Sequence, residues 1–382
     1  MTSSSKHKPS LAAYTVAYNS KSHWSVLTQL HGSIWWKVLP YCVFNVLLTL
    51  LLTYFDQILL MNAKHFLEIS NQGHSFLSIV VAFLLVSRVN IALGRYNEAR
   101  NYLGIMYRET RELVQTAIVL SNAAIDESAV TWRHELAYRS LLLLRTAMAV
   151  INYPTTQCPA WELPELNGVE RDEIVHAMTQ GSRWAHAERS EWEVSMRVPV
   201  RVAYLLRKTI HSNLLRLADP AKLQVNQENK LFQSVDVFMG GYYGIQGFLM
   251  TPVPFPLVQM ARMFLFFYVF TVPFVLIGDS SSVIAHCCQA FVLTYGFVGL
   301  ELVAIELDDP FGDDANDFNN LAVAKMAFED IYLTILDVDG MAAADRLRHR
   351  MEDPNLVQVA SEESWLLKPS LTFDDSGNVR FL

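Results

Sequence analysis

Four stretches of this 382-residue chain are too long and too apolar for ordinary surface helices, and they come in two pairs. The hydrocarbon core of a bilayer is about 30 Å thick and a helical residue rises about 1.5 Å, so a spanning helix needs about 20 mostly apolar residues. Residues 38–61 meet this, with Asp56 as their only charge and with Trp35 and Trp36 just before them, where an interfacial aromatic belt would lie. Residues 76–93 follow, carrying Arg88 near their end, and the second pair is formed by residues 255–277 and 283–305. Any one of these would also suit a core helix of a large soluble α protein; four of them in pairs point to a membrane. Composition agrees: 52% hydrophobic and 18% charged residues compare with about 45–50% and about 25% in a typical soluble domain. The 12% aromatic content excludes disorder, and 30 Lys and Arg against 38 Asp and Glu, a net charge of −8, argues against nucleic acid as a partner. The cysteines Cys42, Cys158, Cys287 and Cys288 form neither a disulfide framework nor a CxxC metal clip.

Between the pairs the chain is ordinarily charged. Val202, Leu206, Ile210, Leu214 and Leu217 form one stripe at steps of three and four, interleaved with Arg201, Arg207, Lys208 and Arg216, which predicts amphipathic helices in a water-exposed domain. Basic residues set the orientation. Lys6, Lys8, Lys21 and Lys37 precede the first span and Arg95, Arg100, Arg108 and Arg111 follow the second, whereas the link between those spans has only Lys64 and the link between the last two has none. Both termini and the central domain are therefore expected on one cytosol-like side. The division expected is a cytosolic segment 1–35, spans one and two in 36–95, a cytosolic helical domain 96–250, spans three and four in 251–306, and a loop, helix and tail in 307–382. The Ser- and Lys-rich start, without acid before Asp56, invites a transit-peptide reading, against which stands its lack of Arg.

Three places carry unusual local chemistry. Arg88, Arg95 and Glu98, at steps of seven and three, fall near one helical face, either as an ion-pair seam or as snorkelling anchors at headgroup level. Before the third span, Pro252, Pro254 and Pro256 cannot continue a helix but suit an extended approach to one starting near Phe255. The N–H groups of that start make either a weak anion site or a plain helix beginning. After the fourth span, Glu306, Asp308, Asp309, Asp313, Asp314 and Asp317 put six carboxylates within twelve residues broken by Pro310 and Gly312. Such a loop is either solvated or holds a cation, and oxygen ligands in irregular backbone suit calcium, although the spacing is not that of an EF-hand.

In this order around two pairs of spans, the three motifs resemble the bestrophin family of pentameric ion channels, and of its plant, algal, protist or animal type rather than the bacterial one. The resemblance runs from about Trp24 and Gly32-Ser33-Ile34 to Asp309-Pro310-Phe311-Gly312, Asp314 and Asp317-Phe318. It implies an all-α polytopic membrane protein with four transmembrane helices and a large cytosolic helical domain, assembled as a homopentamer around a pore lined by the second span. Carried over residue by residue, the hydrophobic neck falls on Ile79, Phe83 and Ser87. Family members commonly have a bulkier residue where Ser87 stands, so Leu84 is expected to close part of the gate. The family's calcium clasp maps to Glu306, Asp309, Asp314 and Asp317, with backbone oxygens from Asp314 and from near Val16 or Ala17. Glu306 and Asp309 replace amide side chains of animal members, which leaves calcium as either a regulator or a permanent ion. Pro252, Pro254 and Phe255 match the start of the family's third span, and a second constriction falls within 200–230.

The function implied is a channel passing chloride, and bicarbonate or nitrate, down its gradient, in a plasma membrane or an organellar one such as the thylakoid. The alternatives are a cation-selective homologue, a non-conducting structural subunit and a metal-dependent membrane enzyme using the acidic loop with His134, His186 and His211. Against the enzyme, the chain has no HExxH, no GxSxG and no phosphate-cradling Gly loop.

Overall fold

The computed structural model describes residues 21–59, 71–123, 126–166, 168–180, 190–216, 222–277, 282–312, 314–352, 372–373 and 379–380. Lys6, Lys8, Val16, Ala17, Lys64, His186, Leu217 and Asp313 lie outside them. The described elements are α1 (His23–Thr28), α2 (Trp35–Leu59), α3 (Asn71–Ser121), α4 (Glu127–Ile151), α5 (Tyr153–Thr156), α6 (Gly168–Gln180), α7 (Glu191–Ser195) and α8 (Val198–Arg216). They continue with α9 (Val225–Met250), α10 (Phe255–Leu276), α11 (Val283–Asp308), α12 (Asn320–Asp339) and α13 (Met341–Met351). A minimal antiparallel pairing, Thr372 with Arg380 and Phe373 with Val379, joins β1 (Thr372–Phe373) to β2 (Val379–Arg380). The chain divides into two compact units, one of residues 16–98 and 250–310, the other of residues 1–15, 99–249 and 311–382.

The first unit contains the apolar helices. Among the described residues four helices are long and apolar enough to cross a membrane: α2, α3, α10 and α11. The helix α10 begins directly after Pro254, with Pro256 in its first turn where the missing N–H removes no helical bond. At the head of α11 the Ser282 hydroxyl accepts the Ala285 N–H, satisfying one of the orphan donors of the first turn. α11 packs on α2 and α10, over a core that includes Val38, Cys42, Val81, Leu85, Leu265, Val269 and Val298. A Cβ on Gly299 of α11 would stand 3.3 Å from Ile34, so the absence of a side chain there sets how closely the chain before α2 approaches. A buried amide fixes the three-helix arrangement: Asn45 Nδ2 donates to the Val269 carbonyl at 2.9 Å and to Thr294 Oγ1 at 2.7 Å.

The helix that carries the second span does not stop where the apolar run ends near residue 93. α3 continues unbroken for 51 residues to Ser121, about 76 Å at 1.5 Å per residue, because the charged residues after Arg95 are good helix formers and no Pro interrupts them. Its first part belongs to the apolar unit and its last part, from Ala99, to the other.

In that other unit a wide apolar cluster gathers around α4, with Leu136, Leu141, Leu143, Leu144 and Met148 buried. The predicted stripe of α8 is buried at Val202, Leu206 and Ile210, and α8 packs on α4. α9 meets α3 at Gly241 and Gly244, where a Cβ on Gly244 would lie 2.5 Å from the Tyr102 ring. Arg133 on α4 is buried with Asp339, the last residue of α12, and donates from Nη1 to the Ser121 carbonyl at 2.9 Å. One guanidinium thereby holds the ends of α3 and α12 against α4.

Candidate functional site: the outer face of α3 and the acidic loop

Ile79 and Phe83 stand on one exposed face of α3, 67% and 72% accessible, and among the described residues none covers them. Ser87 sits at the edge of that face, half-buried, as does Leu84; the exposed residue at that level is Val86. A helix of 3.6 residues per turn drifts across a run of four-residue steps, and the second step, to Ser87, reaches a half-buried position.

Arg88 is 2% exposed, so its guanidinium is covered by protein. Its ion pair is with Asp308, the last residue of α11, and not with the α3 residues that share its spacing. Arg95 donates from Nη1 to the Thr251 carbonyl at 2.9 Å and so fastens the turn that leads through Pro252 and Pro254 to Phe255. Glu98 is exposed. The N-cap of α10 is Pro254, which supplies no side-chain cap. The seam expected within one helix is thus a set of ties between elements distant in sequence.

Sequence reasoning passed over three charged partners. Lys37 pairs with Glu306, Asp308 with Arg88, and Arg262 with the buried Glu301, Nε to Oε1 at 2.8 Å. A signal existed for the last pair. Arg262 and Glu301 are charges of opposite sign in consecutive apolar helices, each seven positions from the charged-side end (255 to 262, 301 to 308).

Of the acidic positions, Glu306 and Asp309 belong to the apolar unit and Asp314 and Asp317 to the other. Asp309 is the exposed C-cap of α11. Asp317 is buried and accepts the Asp314 N–H on Oδ2 at 2.6 Å, so it shapes its own turn. Aromatic packing anchors the same stretch, with Phe311 edge-on to Phe248 at 5.6 Å and tilted against Phe318 at 5.7 Å. Among the described residues no three His, Cys, Asp or Glu side chains gather as a metal site. In chemistry the donors suit calcium, being oxygens only, with Asp309 and Asp314 exposed. Glu306 fits less well, because Lys37 already takes its charge. His211 is engaged by Glu228 at 2.7 Å, and His134 is packed beside Arg346 and Arg350, so neither histidine joins the loop.

Known proteins place this architecture. A family model described as Bacterial/Fungal Bestrophin protein matches residues 15–331. The chain belongs to the bestrophin family, and the matching branch is the bacterial and fungal one, which corrects the expected plant, algal, protist or animal type. A voltage-dependent anion channel-forming protein of Synechocystis is 24% identical over 246 residues, 63% of this chain and 69% of that one. The structure resembles crystal structures of point variants of a bacterial bestrophin homologue from Klebsiella pneumoniae. One has a TM-score of 0.62 at 20% identity, covering 77% of this chain and 99% of that one. A second has a TM-score of 0.59 at 21% identity, covering 80% and 100%. The chain is a multi-pass integral membrane protein with a helical fold.

Proposed function

We propose that the protein is a bestrophin-like anion channel, a homopentamer whose pore runs between five copies of α3 and passes chloride, bicarbonate or nitrate down the electrochemical gradient. The observation that carries this reading is the exposed apolar face at Ile79 and Phe83 on a membrane-length helix, which its own subunit leaves uncovered. Five such faces around an axis make a narrow apolar ring that resists hydrated ions, and the positive edges of the Phe rings favour an anion as it passes. The name of the Synechocystis relative supports anions over cations, and family membership supports a channel over a metal-dependent enzyme. The Lys and Arg distribution supports placing the charged helical unit and both termini on the cytosolic side.

The acidic loop, on this reading, holds calcium through Asp309, Asp314 and Asp317, with Glu306 retained by Lys37. Bound calcium would add positive charge to a stretch with six carboxylates within twelve residues.

Purified protein in planar bilayers under bi-ionic conditions tests the reading. Reversal potentials should follow the chloride gradient, and a reversal that tracks the cation gradient would make this the cation-selective alternative. Silence of the pure pentamer would support the structural-subunit alternative instead.

A further inference from the structure

The outward face of α3 continues beyond the two neck residues in both directions. Phe76, Ile79, Phe83 and Val86 follow one another at steps of three, four and three, and are 71%, 67%, 72% and 54% exposed. Steps of three and four fall on either side of the helical period, so the four side chains stay on one face of α3. The next two exposed positions on the row are Asn90 and Gly94. The row therefore changes character abruptly: four large apolar groups, one carboxamide, then no side chain. A Cβ placed on Gly94 would meet nothing within 4 Å, so the wall opens there. Among the described residues none hydrogen-bonds the Asn90 side chain, and its donors and acceptor are unspent.

We propose that Asn90 is a specificity-determining residue of the pore, forming a ring of carboxamides at the inner lip of the apolar constriction, and that Val86 supplies the innermost apolar ring in place of Ser87. This inference rests on the channel reading above and adds the position at which the permeating ion first meets a protein hydrogen-bond donor. An anion crossing four apolar rings has given up part of its hydration, and its cost is relieved where donors are next offered. Asn90 Nδ2 offers two N–H groups on a neutral side chain, enough to rank anions by their strength as acceptors and too weak to trap them. The carbonyl of the same group can accept from water, which lets rehydration begin at this level. Beyond it, Gly94 leaves room for the full hydration shell.

The test uses the full-length protein in planar bilayers with chloride, nitrate and thiocyanate in bi-ionic pairs against sodium as the cation. Asn90→Asp should lower the chloride-to-sodium permeability ratio by about tenfold, which corresponds to about 1.4 kcal/mol. Asn90→Leu extends the apolar row by one turn and should lower conductance while widening the preference for weakly hydrated thiocyanate. Val86→Ala should raise conductance, and Ser87→Ala should leave it unchanged. Should Asn90→Asp fail to elute at the wild-type oligomer size, Asn90→Leu and Asn90→Ser carry the test. Assembled Asn90 variants with wild-type permeability ratios overturn the proposal and leave the channel reading standing. A wild-type protein that passes no anion overturns both.

Discussion

Arg88 and Asp308 lie 220 positions apart in the chain and form an ion pair in which the guanidinium is almost fully buried, joining the middle of α3 to the last residue of α11. No local spacing announces this pairing. It determines which way α3 is turned about its axis, because a buried guanidinium on one side of the helix leaves Phe83 and Ile79 on the other. Removing one partner leaves a charge without its counter-ion in a poorly solvated place, a change worth about 3–5 kcal/mol for buried pairs. Asp308 is partly exposed, so Arg88→Met is expected near the lower end of that range. The double variant Arg88→Met with Asp308→Leu should recover most of the loss. Thermal unfolding of the detergent-solubilised protein checks this, and a double variant as unstable as Arg88→Met alone would refute the pairing.

The acidic loop makes a separate prediction. If Asp314 and Asp317 hold calcium, chelation should lower the unfolding temperature and replacement of both residues by Ala should remove the calcium dependence of the current. Saturation at 100 times the dissociation constant corresponds to about 2.7 kcal/mol of stabilisation. Asp317→Ala should also loosen the turn by itself, since its carboxylate accepts the Asp314 N–H. Unfolding of Asp317→Ala in excess chelator isolates the contribution of this turn from that of calcium.

Acid should weaken the charged helical unit in two stages. Burial pushes the His134 imidazole below its ordinary 6.5, and Arg350 beside it acts in the same direction. The folded protein therefore keeps His134 neutral where the unfolded chain takes up a proton, so stability falls as pH drops from 6.5 through the folded value. Burial alone would raise the Glu135 carboxyl, but Arg350, donating at 2.6 Å, and Arg139 hold it below its ordinary 4.5. Its contribution is complete above 4.5 and is lost as pH falls through the depressed value. Denaturant titrations from pH 7 to well below pH 4.5 should show His134→Gln abolishing the upper stage while leaving the lower one.

Gly244→Ala should destabilise the same unit. The added methyl meets the Tyr102 ring well inside contact distance, an overpacking cost of about 1–3 kcal/mol, against about 1 kcal/mol gained in helix propensity. The pair Tyr102→Ala with Gly244→Ala relieves the clash, and its stability should exceed that expected from adding the two single effects. Chemical denaturation of the four proteins gives the coupling.

Phe83→Ala should enlarge the leak of anions into liposomes, as the widest exposed ring of the proposed neck is removed. An unchanged chloride efflux would move the constriction away from this level of α3.

Much of the membrane half was legible in advance because hydrophobicity over about 20 residues is a local property. The four apolar helices, the Pro-framed start of α10 at Phe255 and the acidic stretch after α11 are all visible in the order of the residues. The length of the helix that carries the second span was not. The change from apolar to charged composition near residue 93 marks a change of surroundings, and α3 passes through it without breaking because helix formation depends on backbone propensity and not on the solvent outside. Ser87 lies half-buried beside the exposed face because each step of four turns about 40° past a full helical turn.

The sequence by itself determined that this chain is an all-helical membrane protein with a charged helical domain, since both follow from patterns within single segments. Tertiary structure alone decided the partners of the charged groups. Lys37 with Glu306, Arg88 with Asp308, Arg133 with Asp339 and Arg262 with Glu301 each join residues from different helices. A charge in an apolar setting must find its counter-ion in space, and spacing along one helix carries no information about what the neighbouring helix brings to it.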